Sequence, residues 1–134
     1  MTDRHTRYHS GAPWEPIAGY CRAVRAGNYI AVSGSAAVGD DGELVGRGDM
    51  YAQAKRCIEV LEKALNQAGA GLKDIVRTRM FVTDISQWEA VAKAHYEAFG
   101  TAPPATSMVE VSKLIDPDML VEIEADAVVP DTSA

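Results

Sequence analysis

The apolar residues of this chain recur with a helical period in two segments. Residues 49–69 carry one apolar stripe, begin with Asp49 as a candidate N-cap and end at Gly69, where glycine can close a helix. Residues 84–100 repeat the pattern and open with Asp84 and Gln87 at capping-box spacing. The pattern therefore predicts two helices, the second with a buried stripe of Trp88, Val91, His95 and Phe99.

Elsewhere the apolar residues alternate with polar ones, which is the period of a β-strand. Residues 21–27 and 29–34 meet at Gly27 and Asn28 and predict a hairpin. Further strands are predicted at 75–83, 103–111 and 121–129. The order ββαβαββ predicts an α+β domain of two layers, in which a mixed sheet carries both helices on one face.

The other face of the predicted sheet has no helix to cover it. Strand parity places alternate residues of three strands on this face. They are Glu122, Glu124 and Asp126 of the last strand, Thr106, Met108 and Glu110 of the strand before it, and Ile75, Arg77, Arg79 and Phe81 of the strand at 75–83. Such a face is either a charged surface in water or a subunit interface with paired charges and a cleft. The pattern alone leaves both interpretations open.

Length and charge limit the classes of function. A chain of 134 residues is expected to form one domain, here residues 11–130, with a flexible N-terminus at 1–10 and a tail at 131–134. The net charge of −6 argues against a nucleic-acid partner, because phosphates attract clustered Lys and Arg.

Composition also indicates the compartment. The apolar runs are too short to cross a membrane and the polar first residues lack the features of a secretory signal, so we expect a cytoplasmic protein. The chain has two cysteines, Cys21 and Cys57, which are too few for a disulfide framework and do not have the spacing of metal ligands. They are predicted to be free structural thiols, and no metal site is expected.

Three segments carry a family resemblance: GYCRAVRAGNYIAVSG at 19–34, LKDIVRTRMFVTDI at 72–85, and P-A-x-S-x-V-E-V followed by V-E-I-E-A near the C-terminus. Together they resemble the Rid family, also called YjgF or endoribonuclease L-PSP-like, over about residues 10–129. The resemblance implies a chorismate-mutase-like fold assembled as a homotrimer, with ligand clefts between subunits. It also implies hydrolysis of 2-imino acids to keto acids and ammonia, without a cofactor.

The resemblance further implies which residues line the cleft. Glu122 corresponds to the catalytic glutamate that holds the attacking water, and Tyr20 and Gly34 correspond to substrate-binding positions. Thr106 and Met108 stand at two more binding positions, where P-A-T-S replaces the family's P-A-R-S and methionine replaces a frequent cysteine.

Further candidates lie nearby. Trp14 and Glu15 precede Tyr20 and either cover the cleft or anchor the N-terminal arm. Arg77, Arg79 or Arg22 could replace the missing cation, although arginines on an interface sheet are more often ion-pair partners.

The threonine at position 106 affects which reaction the chain is expected to catalyse. An arginine binds a carboxylate with two charged hydrogen bonds, and a single hydroxyl forfeits about 1.5 to 3 kcal/mol of that interaction. The substitution argues against 2-imino acid hydrolysis. We nevertheless expect an imine or enamine deaminase, or an enzyme for a related carbonyl or amide, in which Glu122 positions water, because a carboxylate in a cleft is a ready general base.

The alternative is a non-catalytic trimer that binds a small metabolite, such as a keto or imino acid. Ribonuclease activity is not expected, because His5 and His9 lie near the terminus, His95 lies on a helix and the chain is acidic. The sequence does not name the substrate.

Overall fold

The computed structural model describes residues 5–130, which form one six-stranded sheet packed against helices. The strands are β1 (Thr6–Tyr8), β2 (Ala23–Ala26), β3 (Tyr29–Ser35), β4 (Ile75–Val82), β5 (Ala105–Glu110) and β6 (Val121–Val128). The helices are α1 (Trp14–Ala18), α2 (Met50–Gln67) and α3 (Trp88–Phe99), with 3₁₀ turns at Leu72–Asp74 and Ile85–Gln87. The predicted α+β class and both long helices are confirmed.

Helix α2 supplies much of the core that supports the sheet. Asp49 caps it by accepting a hydrogen bond from the Ala52 N–H at 3.0 Å, and Gly69 follows its end with a φ of 84°. Leu61 and Leu65 are fully buried, and the helix packs against α3, β6 and β3. Cys21 and Cys57, which are predicted to be free structural thiols, are both free and buried.

Strand β6 is central in the sheet. The strand order is β1-β2-β3-β6-β4-β5, and β6 is antiparallel to both of its neighbours. Its burial alternates: Val121, Ile123, Ala125 and Ala127 face the helices, and Glu122, Glu124 and Asp126 face away from them. The face that α2 and α3 leave uncovered, which carries these three acids, is called the open face below.

The faces of β5 are the reverse of those predicted. Strand β5 runs parallel to β4 and pairs Thr106 with Thr78 and Met108 with Met80. Residues paired across adjacent strands point to the same face, and Thr78 and Met80 are buried under the helices. Thr106, Met108 and Glu110 therefore lie on the helix side. The prediction was wrong because polar and apolar residues are mixed in both alternating sets of this edge strand.

Two smaller predictions are also corrected. A β-bulge at Val76 turns Ile75 into the core, so Ile75 does not lie on the open face. Trp88 is 52% exposed and is not part of the buried stripe of α3.

The N-terminal segment contributes one strand to the sheet. Within the segment 1–10, which is expected to be flexible, Thr6–Tyr8 forms an edge strand that pairs with β2. Residues 1–4 and the tail at 131–134 lie outside the described residues.

Replacing Leu61 by alanine should lower the free energy of unfolding by about 2 to 5 kcal/mol, because the side chain is fully buried and leaves a cavity. Urea unfolding at one fixed protein concentration measures the change. The control is Glu62→Ala at the next, exposed position of the same helix, expected to change stability by less than about 0.5 kcal/mol. Equal effects of the two substitutions would contradict the assigned core.

Candidate functional site

Glu122 and Gly34 lie in contact on the open face. The ladder between β3 and β6 is irregular between Val32 and Ser35, and Gly34 sits in this interval. A β-carbon at Gly34 would lie 2.5 Å from Glu122 Oε2, so only glycine lets the carboxyl group take this position. Two of the positions that the family resemblance assigns to the cleft are therefore adjacent.

The surroundings of Glu122 change its acidity. Its side chain is half-buried, and this burial raises the pKa of the carboxyl above its ordinary value, with a smaller contribution from Glu124. The charge of Arg22 acts in the opposite direction. A carboxyl group with a raised pKa exchanges its proton more readily near neutral pH, as a general base and acid must.

Arg22 is the cation of this site. Its Nη2 donates a hydrogen bond to the Gly34 carbonyl oxygen at 2.7 Å, and its guanidinium carbon lies 5.8 Å from the centre of the Tyr20 ring. Its Nε is buried and has no hydrogen-bond partner among the described residues. Tyr20, Arg22, Gly34 and Glu122 thus form one cluster, called the Glu122 cluster below. The sequence indicates Arg22 only as one of three arginines that could replace the missing cation. Its contact with the Gly34 carbonyl depends on the irregular pairing of β3 with β6, which the sequence does not reveal.

Glu15 forms hydrogen bonds that hold His9 and Ser10 of the N-terminal arm beside this cluster. The carboxylate is 2% exposed and accepts hydrogen bonds from the Ser10 N–H at 3.1 Å, the Ser10 hydroxyl and His9 Nδ1 at 3.3 Å. Burial opposes its ionisation, yet these hydrogen bonds and the charge of Arg22 hold the pKa of Glu15 below its ordinary value. Glu15 therefore anchors the arm as an ionised group.

A cavity of about 680 Å³ lies between the N-terminal arm and β2. Glu15 and Tyr20 both line it, and Trp14 does not. Trp14 is instead 44% exposed on α1. The cavity is an opening next to the Glu122 cluster, and the structure gives Trp14 no contact with it.

The arginines of β4 are not placed to clamp a ligand at Glu122. Arg79 Nη1 pairs with Asp126 at 3.2 Å and with Glu124 at 3.5 Å. Asp126 also accepts a hydrogen bond from the Tyr29 hydroxyl at 2.8 Å, which is the main reason that the pKa of Tyr29 is raised. Arg77 is exposed on the open face and forms no ion pair with a described residue.

Thr106 and Met108 belong to a second pocket, on the helix side of the sheet. It has a volume of about 400 Å³ and lies between β5 and the C-terminal half of α3, beside His95 and Phe99. This space is called the Thr106 pocket below. The Thr106 hydroxyl lies 2.7 Å from Thr78 Oγ1, which in turn lies 2.9 Å from His95 Nε2. Burial lowers the pKa of His95, so its imidazole is neutral at pH 7.

Thr106 and Glu122 do not share a cleft within one chain. Strand parity predicts them on one face of the sheet, but β4 separates β5 from β6 and the two side chains point to opposite faces. Within one chain, the Glu122 cluster and the Thr106 pocket are therefore separate and lie on opposite faces of the sheet.

Metal ligands are not clustered in the described part of the chain: among residues 5–130, no group of three or more His, Cys, Asp or Glu side chains is arranged to hold a metal ion. No helix in the described part of the chain is both long and apolar enough to cross a bilayer.

Comparison with known proteins gives consistent matches over almost the whole chain. The model of the family described as Endoribonuclease L-PSP matches residues 10–129. A RutC family protein of Pyrococcus abyssi is 38% identical, over 84% of this chain and 88% of that protein. The 3-aminoacrylate deaminase RutC of Acinetobacter baylyi is 33% identical, over the same shares of the two chains.

Solved structures agree with this result. A Mycobacterium tuberculosis protein of the YjgF/YER057c/UK114 family superposes with a TM-score of 0.85 at 49% identity, over 93% of this chain and 99% of that one. The YjgF gene product of E. coli superposes with a TM-score of 0.79 at 33% identity, over 92% and 97% of the two chains.

Replacing Gly34 by alanine should push the Glu122 carboxyl group out of its half-buried position, because the new β-carbon would occupy its place. We expect the pKa of Glu122 to fall toward the ordinary value of a glutamate, since burial is the main cause of its rise. Carbon-13 NMR titration of the side-chain carboxyls measures this change. Gly71→Ala is the matched control, because no other atom lies within 4 Å of a β-carbon built there. An unchanged pKa in Gly34→Ala would contradict the assigned contact.

Proposed function

Because the chain belongs to the Rid family, we propose that it is a deaminase that hydrolyses a small imine or enamine to a carbonyl compound and ammonia. The family match over residues 10–129 supports this proposal, as does the identity of 33% to a relative named 3-aminoacrylate deaminase. No ribonuclease activity is proposed, because a net charge of −6 is unfavourable for binding a polyanion.

The observation that carries the proposal is the half-buried Glu122 carboxyl group with its raised pKa, held against Gly34. In imine hydrolysis, the oxygen of water bonds to the imine carbon while a proton reaches the nitrogen. The tetrahedral aminol then expels ammonia as its hydroxyl loses a proton and the carbonyl forms. Glu122 accepts the proton of the attacking water and returns it to the departing nitrogen.

The complete site is proposed to lie between subunits of a homotrimer. The Glu122 cluster is on the open face, and the Thr106 pocket is on the helix side at the β5 edge. A neighbouring subunit whose β5 edge meets the open face would join the cluster and the pocket in one cleft. Tyr29, Val109 and Val128 are each more than 40% exposed, and all three lie on strands of this sheet, as expected of a surface that another subunit covers.

A binding module without turnover is the second candidate. The observation in its favour is Thr106, which offers a hydroxyl in place of the charged side chain implied by the family resemblance. Turnover and binding can be measured separately, so the two candidates give different results in the experiment below.

Glu122→Gln should remove most of the catalysis, because an amide cannot accept the proton of water. Imines form reversibly from ammonia and a ketone, so a deaminase accelerates this reaction in both directions. In the presence of ammonia, NMR measures the rate of exchange between 2-oxobutanoate and its imine, and between 2-oxobutanamide and its imine. We expect the native protein to accelerate at least one of these exchanges and Glu122→Gln to lose a factor of about 10² to 10⁴. Glu62→Gln, on the exposed side of α2, should retain the native rate. Binding without any acceleration by the native protein would favour the second candidate.

Light scattering should give close to three times the mass of one chain. Val109→Asp should reduce this mass, because it places a charge on an exposed apolar position of the open face beside Phe81. Val45→Asp makes the same change at an exposed position of the loop before α2, and should leave the mass unchanged. A native protein with the mass of a single chain would contradict the proposed intersubunit cleft.

A further inference from the structure

We propose that the substrate carries an uncharged polar group, such as a carboxamide, where a carboxylate would be expected, and that this group enters the Thr106 pocket. The inference rests on the proposed function, because it concerns the same cleft. Three observations carry it: the hydrogen-bond chain behind Thr106, the composition of its pocket, and the positions of the nearby cations.

The first observation is a continuous chain of hydrogen bonds from α3 to the pocket. Thr78 Oγ1 is completely buried and lies 2.9 Å from His95 Nε2 and 2.7 Å from Thr106 Oγ1. Thr78 has a single hydroxyl proton, so it donates to one of these partners and accepts from the other. The direction of the chain therefore decides whether the Thr106 proton is available to a ligand, whereas the Thr106 oxygen can accept a hydrogen bond in either direction.

Both directions of this chain suit an amide. If His95 donates, Thr78 donates to Thr106, and the Thr106 proton is free for a ligand oxygen. If the direction is reversed, the Thr106 oxygen is free to accept a ligand N–H. A carboxamide offers both an oxygen acceptor and an N–H donor, whereas a carboxylate offers only acceptors.

The second observation is that every residue lining the Thr106 pocket is uncharged. Its polar side chains are His95, Tyr96, Thr106 and Ser107, and the other lining residues are apolar or glycine. His95 contributes no charge at pH 7, because burial lowers its pKa. A carboxylate in this pocket would exchange its hydration for neutral partners only, which is far less favourable for a charge than for an amide.

The third observation concerns Arg22 and Arg79, which already make contacts within the chain. Arg22 is bound to the Gly34 carbonyl, and its charge acts on the ionised Glu15 as well as on Glu122. Arg79 is paired with Asp126 and Glu124. With Glu122 ionised, Glu15, Arg22 and Glu122 together carry a net negative charge, which disfavours an anionic substrate.

The test uses two ketones that differ only at the relevant group, 2-oxobutanoate and 2-oxobutanamide. Calorimetry measures the binding of each to the native protein and to its variants. We expect the native protein to bind the amide at least about tenfold more tightly than the carboxylate, since a factor of ten is close to the contribution of one buried hydrogen bond. Thr106→Arg should reverse this preference by supplying the bidentate cation.

Two further variants keep the test independent of whether the arginine is accommodated. Thr106→Val removes the hydroxyl at nearly constant volume and should weaken amide binding by about tenfold, with little effect on the carboxylate. Thr101→Val makes the same change at an exposed residue outside the pocket, and should alter neither affinity.

The outcomes separate the inference from the function on which it rests. Native protein that binds 2-oxobutanoate as tightly as the amide, or Thr106→Val that keeps full amide affinity, would overturn the inference and leave the proposed deaminase in place. Native protein that binds neither ketone and accelerates neither imine exchange would overturn the proposed function itself, and the inference with it.

Discussion

The site depends on a constraint at strand β6, which is buried on one face and hydrogen-bonded along both edges. The apolar side chains of β6 face the helices. Because successive side chains of a strand point to opposite faces, the alternate carboxylates point to the open face. Glu122 is then held beside Gly34 because the β3 ladder is irregular at that place. A one-residue slip in the β6 register would bury three carboxylates and expose its apolar residues, so the fold and the position of Glu122 are stabilised by the same packing.

Electrostatics distinguish the Glu122 cluster from the Thr106 pocket. The charge of Arg22 acts both on Glu122, whose pKa is raised, and on the buried, ionised Glu15. Around Thr106 there are only hydroxyl groups, a neutral imidazole and apolar side chains. In the proposed cleft between subunits, a ligand would meet ionisable groups at one end and neutral hydrogen-bonding groups at the other, and this difference would restrict which ligands fit.

The parts that sequence predicts well are those in which one alternating set is uniformly apolar. Strand β6 meets this condition, and so does α2, whose predicted stripe is buried throughout. Strand β5 does not, because threonine, methionine and glutamate alternate with serine and valine, and only the pairing with β4 decides its faces. The place of Arg22 in the Glu122 cluster is hard to predict for a similar reason: its contact with the Gly34 carbonyl arises from three-dimensional geometry and leaves no periodic signal in the sequence.

The central position of β6 also affects how the chain acquires its structure. Strand β6 follows all the other strands of the described residues, yet it joins β3 to β4, and the Tyr29–Asp126 hydrogen bond spans 97 positions of sequence. During synthesis the β1–β2–β3 and β4–β5 halves therefore emerge before the strand that unites them. Until β6 is released, each half presents an unpaired strand edge and an uncovered apolar surface. The sheet should thus form in a late step that is limited by long-range contacts, and chains truncated before Val121 should be targets for chaperones and proteases.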